Sequence, residues 1–437
     1  MIAALALLTA CKAPVDIGDV TWHSAIRPII VERCTGCHAT EGGISFPLDD
    51  PATIAALGDT IIAVAAPEGD DAPPYYMPPF GARESAECTP TAPFRNDPRL
   101  SSEQIALLVG WLDAGAPVGE EADAAPLPEP PATELIGTPQ VSLDLPSYTL
   151  QAGLDDDQYR CFPVSGGNPA DVWVTGMQIL PGNDKVVHHV VVFNDPSNQG
   201  PAKITDQGSY PCFGDAGVDG GNILFAWAPG GQPFELPEDA GMRVAGGGGL
   251  VVQVHYSPDG TEQTDQSALA VRYSEQPLAR SAEMRVIGAV FEQDGSNPWL
   301  ETAPFSIAPG DSDAVEIWRQ PADGTARVFS VFPHMHLAGR QITVSIERGG
   351  ASEECLLDVP KWDFNWQFSY SYDGSFEQLP EIREGDEIVV ECHYDNTVDN
   401  PQIAEMLDTL GYSGPQTITV GEDTLDEMCV AIVGVVF

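Results

Sequence analysis

From residue 141 to the C-terminus the chain is written in short, β-branched runs. DVWVTGMQIL, KVVHHVVVF, GLVVQVHYS, ARVFSVFPHMH, DEIVVECHY and MCVAIVGVVF are each bounded by Gly, Pro, Asp or Asn. This texture disfavours long helices and specifies antiparallel strands that pack as a sandwich. The 43 glycines and 39 prolines supply the turns such a fold needs. A region of about 300 residues is too large for one small sandwich, so two are expected. They would occupy 141–282 and 283–437, with a seam near residue 282 after the turn-rich SPDGTEQTDQ and the strand LAVRYS.

Residues 20–118 read differently. IRPIIVERC has helical apolar spacing, and LSSEQIALLVGWLDAGAP begins with Ser101 as a candidate N-cap and Gln104 three residues on, a capping-box pattern. That second helix should close at Gly115 and Pro117. Residues 119–140 are acidic and proline-rich and read as a linker. Within the helical region, Cys34-Thr35-Gly36-Cys37-His38 is C-x-x-C-H. Two thiols on one turn suit addition to the vinyl groups of a haem, and the imidazole that follows suits its iron. A zinc half-site would need a second Cys/His pair, and no histidine lies between His38 and His188. From TWHSAIRPIIVERCTGCH through MPP to GWLDAGAP, the segment resembles a small monohaem cytochrome c domain. Residues 81–98 look like an insertion that carries Cys88. One covalently attached haem c is expected, with Cys34, Cys37 and His38 holding it. Met77, the only methionine between His38 and residue 118, is the expected sixth ligand, and His23 is its competitor.

The opening run MIAALALLTAC ends in Leu8-Thr9-Ala10-Cys11, which resembles a bacterial lipobox. Residues 1–19 are therefore expected to be a signal and tether, with Cys11 lipidated and the protein exported to the periplasm or cell surface. No other stretch reaches the ~18 apolar residues of a membrane span, so membrane contact is expected only through the lipid. A net charge of −46 repels nucleic acid and anionic bilayers. It fits an acidic solvated surface and a high-salt habitat equally well. Export permits disulfides. Once Cys11, Cys34 and Cys37 are set aside, six of the nine cysteines remain, enough for three bridges.

The β region holds histidines in three clusters, HH, VHY and HMH, besides His393. His334 and His336, at i and i+2, share one face of a strand, with Met335 on the other. Adjacent His188 and His189 do not share a face. They can grip one ion only if the strand ends or bulges between them, and a third ligand must come from another strand.

HHVVVF, FAWAPGGQPFELPEDAG, VVQVHYS, PHMHLAGR, DFNWQ, ECHYDNT and DEMCV follow one another in the order found in the copper type II ascorbate-dependent monooxygenases. The resemblance covers roughly 141–437. It implies two all-β, antiparallel, jelly-roll-like sandwich domains, each holding one copper, with a solvent-filled cleft between. The first copper would take His188, His189 and His255, and the second His334, His336 and Met428. Three imidazoles suit an electron-storing copper, whereas a thioether beside two imidazoles favours Cu(I), the state that meets dioxygen. The implied activity is hydroxylation of a substrate C–H bond with O2 at the methionine site. The electrons come from a one-electron donor such as ascorbate or a redox protein, and here the fused haem is the expected relay. The alternative is a non-enzymatic haem and copper electron-transfer or copper-binding lipoprotein. The resemblance also implies the disulfides Cys161–Cys212 and Cys392–Cys429. Cys88 and Cys355 remain, and as a pair they would staple the cytochrome segment to the second sandwich. His393 matches no ligand position and reads as a neighbour of a disulfide. Where the peptide-amidating relatives place an Arg, an Asn and a Tyr for a substrate carboxylate, this chain has Phe332, Val430 and Ile432. A small apolar or aromatic substrate is expected rather than a glycine-extended peptide.

Overall fold

The structure is a computed structural model describing residues 20–38, 47–66, 76–85, 88–128, 134–154, 157–165, 167–229, 231–289, 305–349, 352–421 and 425–437. The expected signal and tether, with Cys11, lies outside the described residues, as does part of the expected linker. The chain divides into two compact units, Met1–Phe80 with Asn96–Pro131 and Gly81–Arg95 with Ala132–Phe437. Among the described residues no helix is long and apolar enough to cross a membrane.

The smaller unit is helical. A π-helical turn, Trp22–Ile26, runs into the helix Arg27–Arg33, and the helices Pro51–Ala56, Gly58–Ala65 and Ser102–Asp113 follow. The Ser101 hydroxyl accepts from the Gln104 amide while the Gln104 side chain accepts from the Ser101 amide. This capping box satisfies two of the orphan donors at the helix start. Trp22, Ile26, Ile30, Ile54, Leu108 and Trp111 form the core. The stretch after residue 118 stays with this unit: the Ala125 amide donates to the His23 carbonyl at 2.9 Å. The helix Arg27–Arg33 ends at Cys34, whose carbonyl accepts from the amides of Cys37 and His38 at 3.2 and 2.9 Å. Both thiols and the imidazole therefore belong to one turn. Cys34 and Cys37 are the free cysteines among the described residues. Met77 is half-buried, and its amide donates to the Val64 carbonyl. His23 lies in the π-helical turn, with its Nδ1 buried and unpartnered.

The larger unit is built from strands. Its longest sheet runs Gln140–Asp144, Ala268–Ser274, Val172–Leu180, Ala240–Val244, Arg280–Ala289, Cys429–Val436, Ala326–His334 and Tyr370–Ser371, with Phe234–Glu235 and Glu381–Ile382 at its sides. A second sheet orders Tyr210–Pro211, Gln158–Val164, Gly249–Tyr256, Val187–Asp195 and Asn222–Trp227. A third orders Ala314–Pro321, Asp386–Tyr394, Gly339–Arg348 and Ser352–Val359. The central strands GLVVQVHY and CVAIVGVV are buried at every residue, which is why they read as continuous apolar runs rather than as alternation. Residue 282 falls inside the strand Arg280–Ala289, which pairs in parallel with Ala240–Val244 and antiparallel with Cys429–Val436. One sheet thus continues through both halves of the β region.

The segment Gly81–Arg95 belongs to this larger unit. The Gly81 amide donates to the Tyr370 hydroxyl at 3.1 Å, the Arg83 amide to the Asp358 carbonyl and the Arg95 amide to the Ser371 carbonyl. Phe94 packs on Tyr370 and stacks on Tyr372. The Cys88–Cys355 disulfide is therefore internal to the β unit. This corrects the expectation that it would staple the cytochrome-like segment to the second sandwich. Cys161–Cys212 and Cys392–Cys429 are the other two bridges.

Candidate metal centres

His188 and His189 lie on the strand Val187–Asp195, which pairs with Gly249–Tyr256. The register matches His189 to His255 and then Val187 to Tyr256, so it skips His188. That bulge is the departure from regular geometry that two adjacent ligands demand. It brings the Nδ1 atoms of His188 and His255 to 3.2 and 3.1 Å from that of His189, and the three side chains form a group able to hold one ion. Burial first, and then the neighbouring His255, holds His188 down at about 4. The same two causes hold His189 well below the ordinary imidazole range. Both rings are thus neutral at neutral pH, with lone pairs free for a metal. On the far side of His255, Asp157 Oδ2 comes within 3.1 Å of Nε2. Tyr159 lies flat on the same ring, with centroids 4.2 Å apart.

The second cluster uses the opposite nitrogens. His334 closes the strand Ala326–His334, and His336 sits two residues past its end, so the pair straddles a strand terminus rather than sharing a regular strand face. His334 Nδ1 donates to Gln367 Oε1 at 2.7 Å, and His336 Nδ1 donates to the Asp426 carbonyl at 2.9 Å. Both bonds leave Nε2 as the lone-pair nitrogen. Burial holds His334 below the usual range, against the pull of Gln367. Met428 is buried immediately before the strand Cys429–Val436. It lies between Asp426, which holds His336, and Val430, which pairs with His334. Glu427, fully buried, accepts from the amides of His336, Ala338 and Met428 at 2.8, 2.7 and 3.2 Å. Burial pushes it up to about 8, although these same amides pull the other way. Tyr394 Oη donates to the Met428 carbonyl at 2.9 Å, and Trp362 Nε1 to the His336 carbonyl at 3.0 Å. Phe332 pairs with Ile432 and His334 with Val430, so the positions beside His334 form a buried apolar platform.

One aromatic ring touches both clusters. Phe364 stacks on His188 with centroids 5.3 Å apart and meets His336 edge-on at 6.0 Å. It stands in the DFNWQ loop, whose Gln367 also fixes His334. His393 faces Asp313 and Glu391 at 3.1 and 3.0 Å and takes no part in either cluster. Gln367, Glu427, Asp157 and Tyr159 were not singled out from the sequence. The one available signal was position, since Gln367 and Glu427 lie inside the quoted DFNWQ and DEMCV stretches.

The profile of the copper type II ascorbate-dependent monooxygenase N-terminal domain matches residues 144–263, and that of the C-terminal domain matches 318–434. Each matched stretch contains one of the two clusters. Over those stretches the chain belongs to the copper type II ascorbate-dependent monooxygenases. Relatives in this monooxygenase family include DBH-like monooxygenase protein 1 of Gallus gallus, 29% identical over 49% of this chain and 36% of that protein. Dopamine beta-hydroxylase of Equus caballus is 27% identical over 58% of this chain and 39% of its own length. Putative DBH-like monooxygenase protein 2 of Homo sapiens is 25% identical, covering 66% and 56%. The chain thus spans roughly a third to a half of the relatives it matches.

Proposed function

We propose that this protein hydroxylates a C–H bond of a small apolar or aromatic substrate with O2, drawing electrons from a one-electron donor. The observation that carries this reading is the pair of clusters with opposite nitrogens presented, Nδ1 in one and Nε2 in the other. His188, His189 and His255 would hold one copper, and His334, His336 and Met428 the other. An all-imidazole set and a set with a soft thioether both fit that metal. Two copper ions bound there would supply one-electron storage and oxygen activation. The protein's own part is to keep the imidazoles neutral, fix their tautomers through Gln367 and Asp426, and brace Met428 through Glu427. Phe332, Val430 and Ile432 offer no charge for a substrate carboxylate, so a glycine-extended peptide should not be turned over.

The Cys34, Cys37 and His38 turn suits a covalent haem c, which would relay single electrons toward the three-histidine centre; Met77 is the proposed sixth ligand, ahead of His23. Three disulfides suit an oxidising compartment. We place the protein in the periplasm or at the cell surface, anchored through Cys11.

The test is oxygen uptake coupled to hydroxylated product, using copper-loaded protein, ascorbate and a panel of aryl-alkyl compounds. Met428→Ala should lower product formation beyond the ~100-fold seen for outer-shell residues. Haem and copper reduction with no product from any compound would make the protein a carrier instead.

A further inference from the structure

We infer that, besides the fused haem, a diffusing donor passes electrons to the three-histidine centre through the exposed ring of Phe213 and then Tyr159, and that this surface favours a cationic one-electron donor over an anion such as ascorbate. This rests on reading that centre as a copper site. Single exposed aromatic residues are ordinary; what sets Phe213 apart is what lies beneath it. Phe213 is 42% exposed, and its ring meets Tyr159 edge-on, with centroids 4.5 Å apart. Tyr159 in turn lies over His255 at 4.2 Å, with the planes only 9° apart, and touches His189 edge-on. Solvent, Phe213, Tyr159 and two ligand rings therefore form one continuous series of contacts.

The series is built into the fold. Tyr159 pairs directly with His255 across the ladder. The Cys161–Cys212 bridge begins two residues after Tyr159 and ends one residue before Phe213. The Cys212 amide also points at the Tyr159 carbonyl, at 3.4 Å. Phe213 thus has little freedom to leave the Tyr159 edge. The rings act as a packed medium between donor and metal, and neither is oxidised. The donor loses one electron, Cu(II) becomes Cu(I), and no proton need move.

Charge selects the donor. Asp215 is bridged to Phe213, Asp157 lies against His255, and the whole chain carries −46. A cation is drawn toward such a surface and an anion is pushed away.

The test uses Cu(II)-loaded full-length protein without oxygen or substrate. Hexaammineruthenium(II) is mixed in, and loss of the Cu(II) signal is followed by freeze-quench EPR. Phe213→Ala and Tyr159→Leu should each slow reduction by about tenfold. Tyr159→Phe, which keeps the ring, and Phe437→Ala, at another exposed ring, should match the parent. Ferrocyanide should be slower than the ruthenium cation at low salt, with the gap closing as salt rises. Copper content and the EPR spectrum of Phe213→Ala check that the centre is intact, so a misfolded Tyr159→Leu would not leave the question open. Parental rates in both Phe213→Ala and Tyr159→Leu would overturn the entry route. A faster anion would overturn the choice of donor. If His189→Ala keeps the full copper content and an unchanged spectrum, the copper reading itself fails, and the two failures are distinct.

Discussion

At the scale of single residues, the choice of ring nitrogen divides the two clusters. Gln367 Oε1 accepts from His334 Nδ1 and its Nε2 donates to the Phe364 carbonyl, so Gln367→Leu should loosen the His334 imidazole directly and reach the other cluster only through Phe364. We expect copper affinity at the methionine site to fall by roughly 10–100-fold, and by less at the three-histidine site, as read by chelator competition. Glu316 allows a pH experiment on a group outside both candidate ligand sets, although its carbonyl faces Cys429, next to Met428. Burial pushes it up to about 7 from an ordinary 4.5. A carboxyl raised on folding favours the fold fully below pH 4.5, and that contribution is lost as pH rises through 7. Glu316→Gln should therefore gain on the parent between pH 5 and 8 by ~1–2 kcal/mol, visible as a Tm difference that grows with pH. The candidate histidines were legible in the sequence because histidine is scarce and its spacing is geometric: HH demands a bulge, which the register shows, whereas the shared strand face read from H-x-H is replaced by a strand end between His334 and His336. Gln367, Glu427 and Tyr159 were not legible. A loop amide, a lone acid and a strand tyrosine are common residues whose meaning comes only from what the fold places against them.

Among strands, the continuous apolar runs told which segments are central, but not their register. The skip at His188 was anticipated by the adjacent histidines, but Gly288 is a hidden detail. Gly288 has φ +120° in the strand paired with Cys429–Val436, and a Cβ there would lie 2.0 Å from the Cys429 carbonyl oxygen. Only glycine adopts that backbone and permits that approach. Gly288→Ala should cost ~1–3 kcal/mol of stability from strain alone. Because the displaced strand begins right after Met428, copper should be lost from the methionine site before the other. Thermal unfolding and a copper count after dialysis would show both effects.

For the molecule as a whole, the sequence revealed the insertion at 81–98 but not its owner. Cys88 finds Cys355 across 267 residues, a separation that no local pattern encodes. Removing residues 1–131 to obtain the β unit alone would delete this segment. Such a truncation should expose Cys355 as a reactive thiol, form reducible dimers and unfold at a lower temperature than the full chain. Non-reducing electrophoresis and a thiol titration would check this. The polypeptide leaves the helical unit at Phe80, returns at Asn96 and leaves again after Pro131. Modules joined by one linker can be shuffled between genes by a single splice. These two cannot, because a splice within 119–140 would carry the strap 81–95 away from Cys355, Tyr370 and Tyr372. The helical unit and this β unit are thus constrained to be inherited together, and a new pairing would require a host that already offers the strap its docking surface.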